Sequence, residues 1–188
     1  MPSTLAMPLI ASGVLLWSVA HLLRRIAPGL RARMGRGGGL ALTGALGLAG
    51  TLAMVVGYRA AGGEVYWGRS PARVGANNLL MLLAVWLFAA LGMKTAPARW
   101  LRHPMLWGVV LWMVAHLLVN GDTPSFLLFG GIGLWALVQM WAINATAGPW
   151  VPPAPAGVRR EMLALIGALA VYAALAGVHY LFGYAAFG

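Results

Sequence analysis

Six stretches of the chain run for 17 or more residues without a single Asp, Glu, Lys or Arg: Leu5–Leu23, Gly38–Tyr58, Asn77–Met93, Pro104–Asn120, Ser125–Ala145 and Met162–Phe187. A helix needs about 20 mostly apolar residues to cross about 30 Å of hydrocarbon. Six such spans and five short connectors use up all 188 residues. The composition agrees. The chain is 61% hydrophobic and 9% charged, where a soluble domain is about 45–50% apolar and about 25% charged. It cannot cover a water-facing surface with polar groups, which excludes a soluble globular enzyme. It is also too apolar for a disordered chain. The expected fold is therefore all-α: a polytopic integral membrane bundle of six transmembrane helices, forming one domain over residues 1–188.

The net charge of +10 does not point to nucleic acid, because the basic residues sit in short runs between long uncharged stretches. Ten of the 13 lie in the first, third and fifth connectors: Arg24, Arg25, Arg31, Arg33 and Arg36; Lys94, Arg99 and Arg102; Arg159 and Arg160. The second connector holds Arg59, Arg69 and Arg73. Positive charge favours the cytoplasmic side, so both termini are expected on the non-cytoplasmic side. Glu64 and Asp122 then fall outside and Glu161 inside. The first stretch has no basic residue before it and is read as a retained span rather than a signal peptide. Thr146–Gly157 is Pro-rich and reads as an extended linker. In the second span, Thr43 with Gly47, Ala53 with Gly57, and Gly44, Gly47 and Gly50 have the spacing of close helix contacts. Trp67, Trp100 and Trp150 suit interfacial anchors, while Trp17, Trp86, Trp112 and Trp135 lie deeper.

Chemistry has to come from neutral polar groups within the spans. All four histidines, His21, His103, His116 and His179, lie in or at the edge of one. Intramembrane ionisable groups are costly and mark function, and imidazole is the commonest metal ligand. There is no cysteine, so thiolate sites, disulfides and covalent c-type haem are excluded. No carboxylate accompanies the histidines as a zinc hydrolase or proton relay would require, and Ser18 and Asp122 fall near opposite faces, which excludes a Ser/His/Asp triad. At 1.5 Å per residue, His21 and His103 lie near the cytoplasmic face, and His116 and His179 in the outer half. Depth thus pairs His21 with His103 and His116 with His179, the layout of a membrane cytochrome with two bis-His haems. About 140° separates His103 from His116 around a straight helix, and His103 precedes Pro104, which places it at or outside the helix start. Asn120, one turn above His116, is a candidate to orient a ligand, and Met113, one turn below, a candidate thioether ligand or pocket wall. Asn120-Gly121-Asp122-Thr123-Pro124 also reads as a helix C-cap followed by an N-cap.

The run His103-Pro104-Met105-Leu106-Trp107-Gly108, Leu111-Trp112 and Ala115-His116-Leu117-Leu118-Val119-Asn120-Gly121-Asp122 closely resembles the NnrU family. His21-Leu22-Leu23 before Ala27-Pro28-Gly29-Leu30-Arg31 is similar to its first span, and Val178-His179-Tyr180-Leu181-Phe182-Gly183 to its last. The resemblance implies a multi-pass protein of the bacterial inner (cytoplasmic) membrane, associated with nitrite and nitric oxide reductase expression. That family is similar to the haem-dependent 15-cis-zeta-carotene isomerases. The leading expectation is a haem b protein, with one or two haems, that handles or senses nitric oxide or moves electrons. The rival is a haem-dependent cis-trans isomerase of a polyene or other apolar lipid. A third reading is an assembly factor whose histidines only pack. The isomerases' ligands correspond to His21 and His116, whereas depth pairs His116 with His179. His116 is common to both, and its partner stays open between the other two.

Overall fold

Proline and glycine set most of the helix ends. The computed structural model describes residues 3–187. After a 3-10 turn (Ser3–Leu5), helix α1 spans Ala6–Ile26. It stops at Ala27 (φ −137°), because the residue before a proline is pushed out of the helical region, and Pro28 opens the short α2 (Pro28–Arg33). There follow α3 (Gly35–Ala60), β1 (Val65–Trp67), α4 (Pro71–Met93), α5 (Ala96–Trp100), α6 (Pro104–Val119), β2 (Gly121–Asp122) and α7 (Thr123–Ser125). A π-helical turn (Phe126–Gly130) leads into α8 (Gly131–Thr146), and α9 (Val158–Leu181) completes the chain. The Ser70 hydroxyl caps α4 by accepting from Arg73 N, with Pro71 in the first turn. Residues 147–157 carry no regular structure, as the proline content predicts.

Among the described residues five helices are long and apolar enough to cross a membrane: Ala6–Ile26, Gly35–Ala60, Pro71–Met93, Thr123–Thr146 and Val158–Leu181. The expected fourth span is the exception. It forms the 16-residue α6, which at 1.5 Å per residue is about 24 Å long, short of the hydrocarbon thickness. Pro104 bounds it at one end and the Asn120-Gly121-Asp122 turn at the other.

The chain divides into two compact units. The first comprises residues 1–66 and 121–146. Here α1 and α3 are antiparallel and touch through bare backbone: a Cβ on Gly50 would lie 2.8 Å from Gly13 O, and one on Gly57 2.9 Å from Ala6 O. Only glycine permits so close an approach. Gly47 also faces inward, but Gly44 meets open space, so one of the expected contact glycines lies on the wrong side of the helix. α8 runs alongside α1, with Gly131 against Val14 and Arg25 Nη1 donating to Thr146 Oγ1 at 2.9 Å. Asp122 caps the entry to this third span by accepting from Ser125 N at 2.8 Å. Ser125 is fully buried, and its Oγ lies 2.8 Å from the Tyr58 hydroxyl. The β1–β2 ribbon, continued by Thr123 N donating to Glu64 O, has no counterpart in the sequence reading.

The second unit comprises residues 67–120 and 147–188. α6 and α9 both pack on α4. Gly108 of α6 fits against Ala84 O and Phe88 of α4, and α9 buries Ala164, Ala168 and Ala176 along one face. The far end of α4 meets the start of α9, where Glu161 accepts from Ala96 N. The near end of α4 meets the ends of the other two helices: Trp67 Nε1 donates to Leu117 O, and Arg69 Nη2 donates to Ala185 O.

Candidate functional site

His116 and His179 come together in the second unit. Their ring centroids are 6.4 Å apart, with planes inclined at 42°. His116 lies in the last turn of α6 and His179 in the last turn of α9. Both helices end beside the start of α4, and the Trp67 indole holds the carbonyl next to His116. Both rings are half-buried. Of the two pairs expected from depth, His116 with His179 is brought together.

The two rings are held in the same way. His116 Nδ1 is 2.9 Å from Trp112 O, and His179 Nδ1 is 2.7 Å from Leu175 O, each four residues back on its own helix. A carbonyl only accepts, so Nδ1 carries the proton in the neutral ring and Nε2 keeps the lone pair. Metal-binding histidines are commonly oriented through such a backbone carbonyl. Trp112 also lines this site, its ring 4.9 Å from that of His116.

The remaining candidates are placed differently. Asn120 donates through Nδ2 to His116 O at 3.0 Å. That amide serves the helix C-terminus, in keeping with the capping reading of the segment. Met113 is half-buried on α6. His103 occupies the N-cap position of α6 outside its first turn, and its carbonyl accepts from Trp107 N, as the following proline predicts.

His21 belongs to the first unit. Its Nδ1 is 2.8 Å from Trp17 O, so it shares the tautomer of the other two. Its ring stacks on Trp17 (centroids 4.2 Å) and meets Trp135 edge-on (5.2 Å). The Nε1 atoms of Trp17 and Trp135 are buried without a hydrogen-bond partner. Sequence reasoning identified these tryptophans as deep residues but not as the enclosure of a histidine.

Among the described residues no three His, Cys, Asp or Glu side chains cluster as a metal site. The His116–His179 pair offers two nitrogen donors and no counter-charge. Such a pair suits an ion that brings its other ligands with it.

No curated protein and no solved structure matches the chain. The family model described as NnrU protein matches residues 9–186, a range that covers most of each unit and all four histidines. The chain belongs to the NnrU family.

Proposed function

We propose that this NnrU-family chain is a haem b-binding protein of the bacterial inner membrane, in which His116 and His179 would hold the iron, acting in nitrite and nitric oxide respiration. The observation that carries the reading is the pair itself. Two imidazoles that bind one ion from opposite sides, each nitrogen about 2 Å away, have ring centres about 6 Å apart; these lie 6.4 Å apart. Nδ1 of each ring is committed to its own helix, which directs binding to Nε2. The porphyrin supplies the four further nitrogens that the protein lacks. Bound there, haem would supply redox-active iron with affinity for diatomic gases. The chain's own part is to hold the two rings at this separation, with Trp112 against His116.

The same reading takes α6 as a sixth crossing, with both termini away from the cytoplasm. Its end reaches the start of α4 through the Trp67–Leu117 bond, and the extended residues on either side lengthen it. The first, third and fifth connectors, which together hold ten of the 13 basic residues, then share the cytoplasmic side, where positive charge is favoured.

Expression with ample haem precursor, followed by oxidised and reduced absorption spectra, tests this reading. A Soret band is expected that is lost in His116→Ala and His179→Ala and retained in His21→Ala. Loss in His21→Ala with retention in His179→Ala would reassign the second ligand to His21. A colourless wild-type protein would overturn the reading. Turnover of a cis-polyene by the haem-loaded protein would redirect it to the isomerase class.

A further inference from the structure

A cavity of about 490 Å³ opens where α4 ends and α9 begins, away from the histidine pair, and is lined by Gly92, Met93, Lys94, Arg159, Arg160 and Leu163. We infer that this cavity binds the head group of an anionic phospholipid, its phosphate on Lys94, Arg159 and Arg160 and its glycerol and upper acyl segment against Gly92, Met93 and Leu163.

Charge comes first. Three cations from two elements face one space, and none makes an ion pair or side-chain hydrogen bond within the described residues. The one carboxylate nearby, Glu161, already accepts from Ala96 N through both oxygens, at 2.9 and 3.2 Å. Against that single negative charge, three cations leave a net positive field at the cavity. Guanidinium forks match phosphate oxygens in pairs, and an ammonium adds a point charge.

Position comes second. The cavity lies where two candidate spans end, Pro71–Met93 and Val158–Leu181, which is the depth of a lipid phosphate. Its lining is divided between cationic and apolar residues, matching a lipid rather than a free ion. Its volume falls within the range of small-molecule sites and exceeds what one phosphate ion fills. Basic pockets between transmembrane helices are a known means of holding anionic head groups.

The backbone adds a third observation. Lys94 caps α4 in the left-handed region, with φ +55°, the only non-glycine residue with positive φ among those described. Helices commonly end this way on glycine. Here the conformation falls to a lysine, and it turns the chain so that the ammonium-bearing residue borders the cavity.

Lipid binding to detergent-purified full-length protein, counted by native mass spectrometry, tests the inference. The probes are phosphatidylglycerol, phosphatidylcholine and inorganic phosphate. Phosphatidylglycerol should bind roughly tenfold more tightly than phosphatidylcholine, a preference expected of three clustered cations. The triple variant Lys94→Gln/Arg159→Gln/Arg160→Gln should lose that preference, whereas Arg33→Gln/Arg36→Gln, in a different connector, should retain it. Retention by the triple variant, or equal loss by the control, would overturn the site. Binding of inorganic phosphate as tight as that of the lipid would show an ion site and overturn the lipid assignment. If the triple variant fails to fold, the unaltered protein still decides. A photoactivatable phosphatidylglycerol head group should crosslink within residues 92–94 or 159–163, and crosslinking elsewhere alone refutes the inference. These readouts do not depend on haem.

Discussion

The α1–α3 seam makes a sharp prediction because its fit is backbone on backbone. In Gly50→Ala the new Cβ would lie 2.8 Å from Gly13 O, 3.0 Å from Trp17 N and 3.3 Å from Leu16 Cβ. Two of the three atoms are backbone and cannot rotate away. Restoring the 3.4 Å at which ordinary contact begins requires the helices to part by 0.6 Å. A gap of about 0.5–1 Å forfeits a quarter to a half of the dispersion well of every contact it opens. Overpacking of this kind costs about 1–3 kcal/mol. Replacing a helical glycine by alanine returns roughly 0.5–1 kcal/mol, which leaves a net loss of up to about 2.5 kcal/mol. Gly44→Ala is the matched control: it lies on the same helix with nothing within 4 Å of its Cβ, and should gain roughly 0.5–1 kcal/mol. Reversible unfolding in mixed micelles with increasing dodecyl sulfate, followed by tryptophan fluorescence, measures both. Because Gly13 and Gly50 contest the same gap, the double variant Gly13→Ala/Gly50→Ala should cost less than the sum of the two singles. If Gly50→Ala unfolds at the same detergent fraction as Gly44→Ala, the seam is not close-packed and the reasoning fails.

Three other perturbations have calculable outcomes. Asp122→Ala removes the cap on Ser125 N and should cost about 1 kcal/mol in the same unfolding assay, while Asp122→Asn retains most of the stability. Tyr58→Phe strands the fully buried Ser125 hydroxyl and should cost about 1–2 kcal/mol, with the double variant Tyr58→Phe/Ser125→Ala recovering part of the loss. Glu161→Ala deprives Ala96 N of a charged acceptor, and faster amide exchange at residues 95–97 by mass spectrometry should report it; unchanged exchange would show that the bond does not hold the α4–α5 elbow.

Much of the architecture was legible because charge and apolar length are local properties. The uncharged stretches became helices, Pro28, Pro71 and Pro104 mark helix starts, and Asp122 caps the segment it precedes. The His116–His179 pairing was accessible from depth alone, since rise per residue is fixed. What failed depended on neighbours. Gly44 and Gly47 look equivalent in sequence, and only the rotation of α3 against α1 buries one and exposes the other. The ends of α6 were read to within one residue, but at 16 residues it is shorter than the five candidate spans. The β1–β2 ribbon could not be read from three residues, Val65–Trp67, whose partners lie more than fifty positions away. The enclosure of His21 by Trp135 is likewise a contact between distant parts of the chain.

The carbonyl that orients each histidine is also the one its own residue's amide uses within the helix. Ring and backbone thus share a single oxygen, and no carboxylate or amide side chain has to be recruited to fix the tautomer. An orienting group of this kind leaves no trace in the amino-acid order, since any residue four places earlier provides it. It also links the direction of the Nε2 lone pair to the helix axis, so that a slip of α6 or α9 along its length would carry the donor atom with it by the same amount.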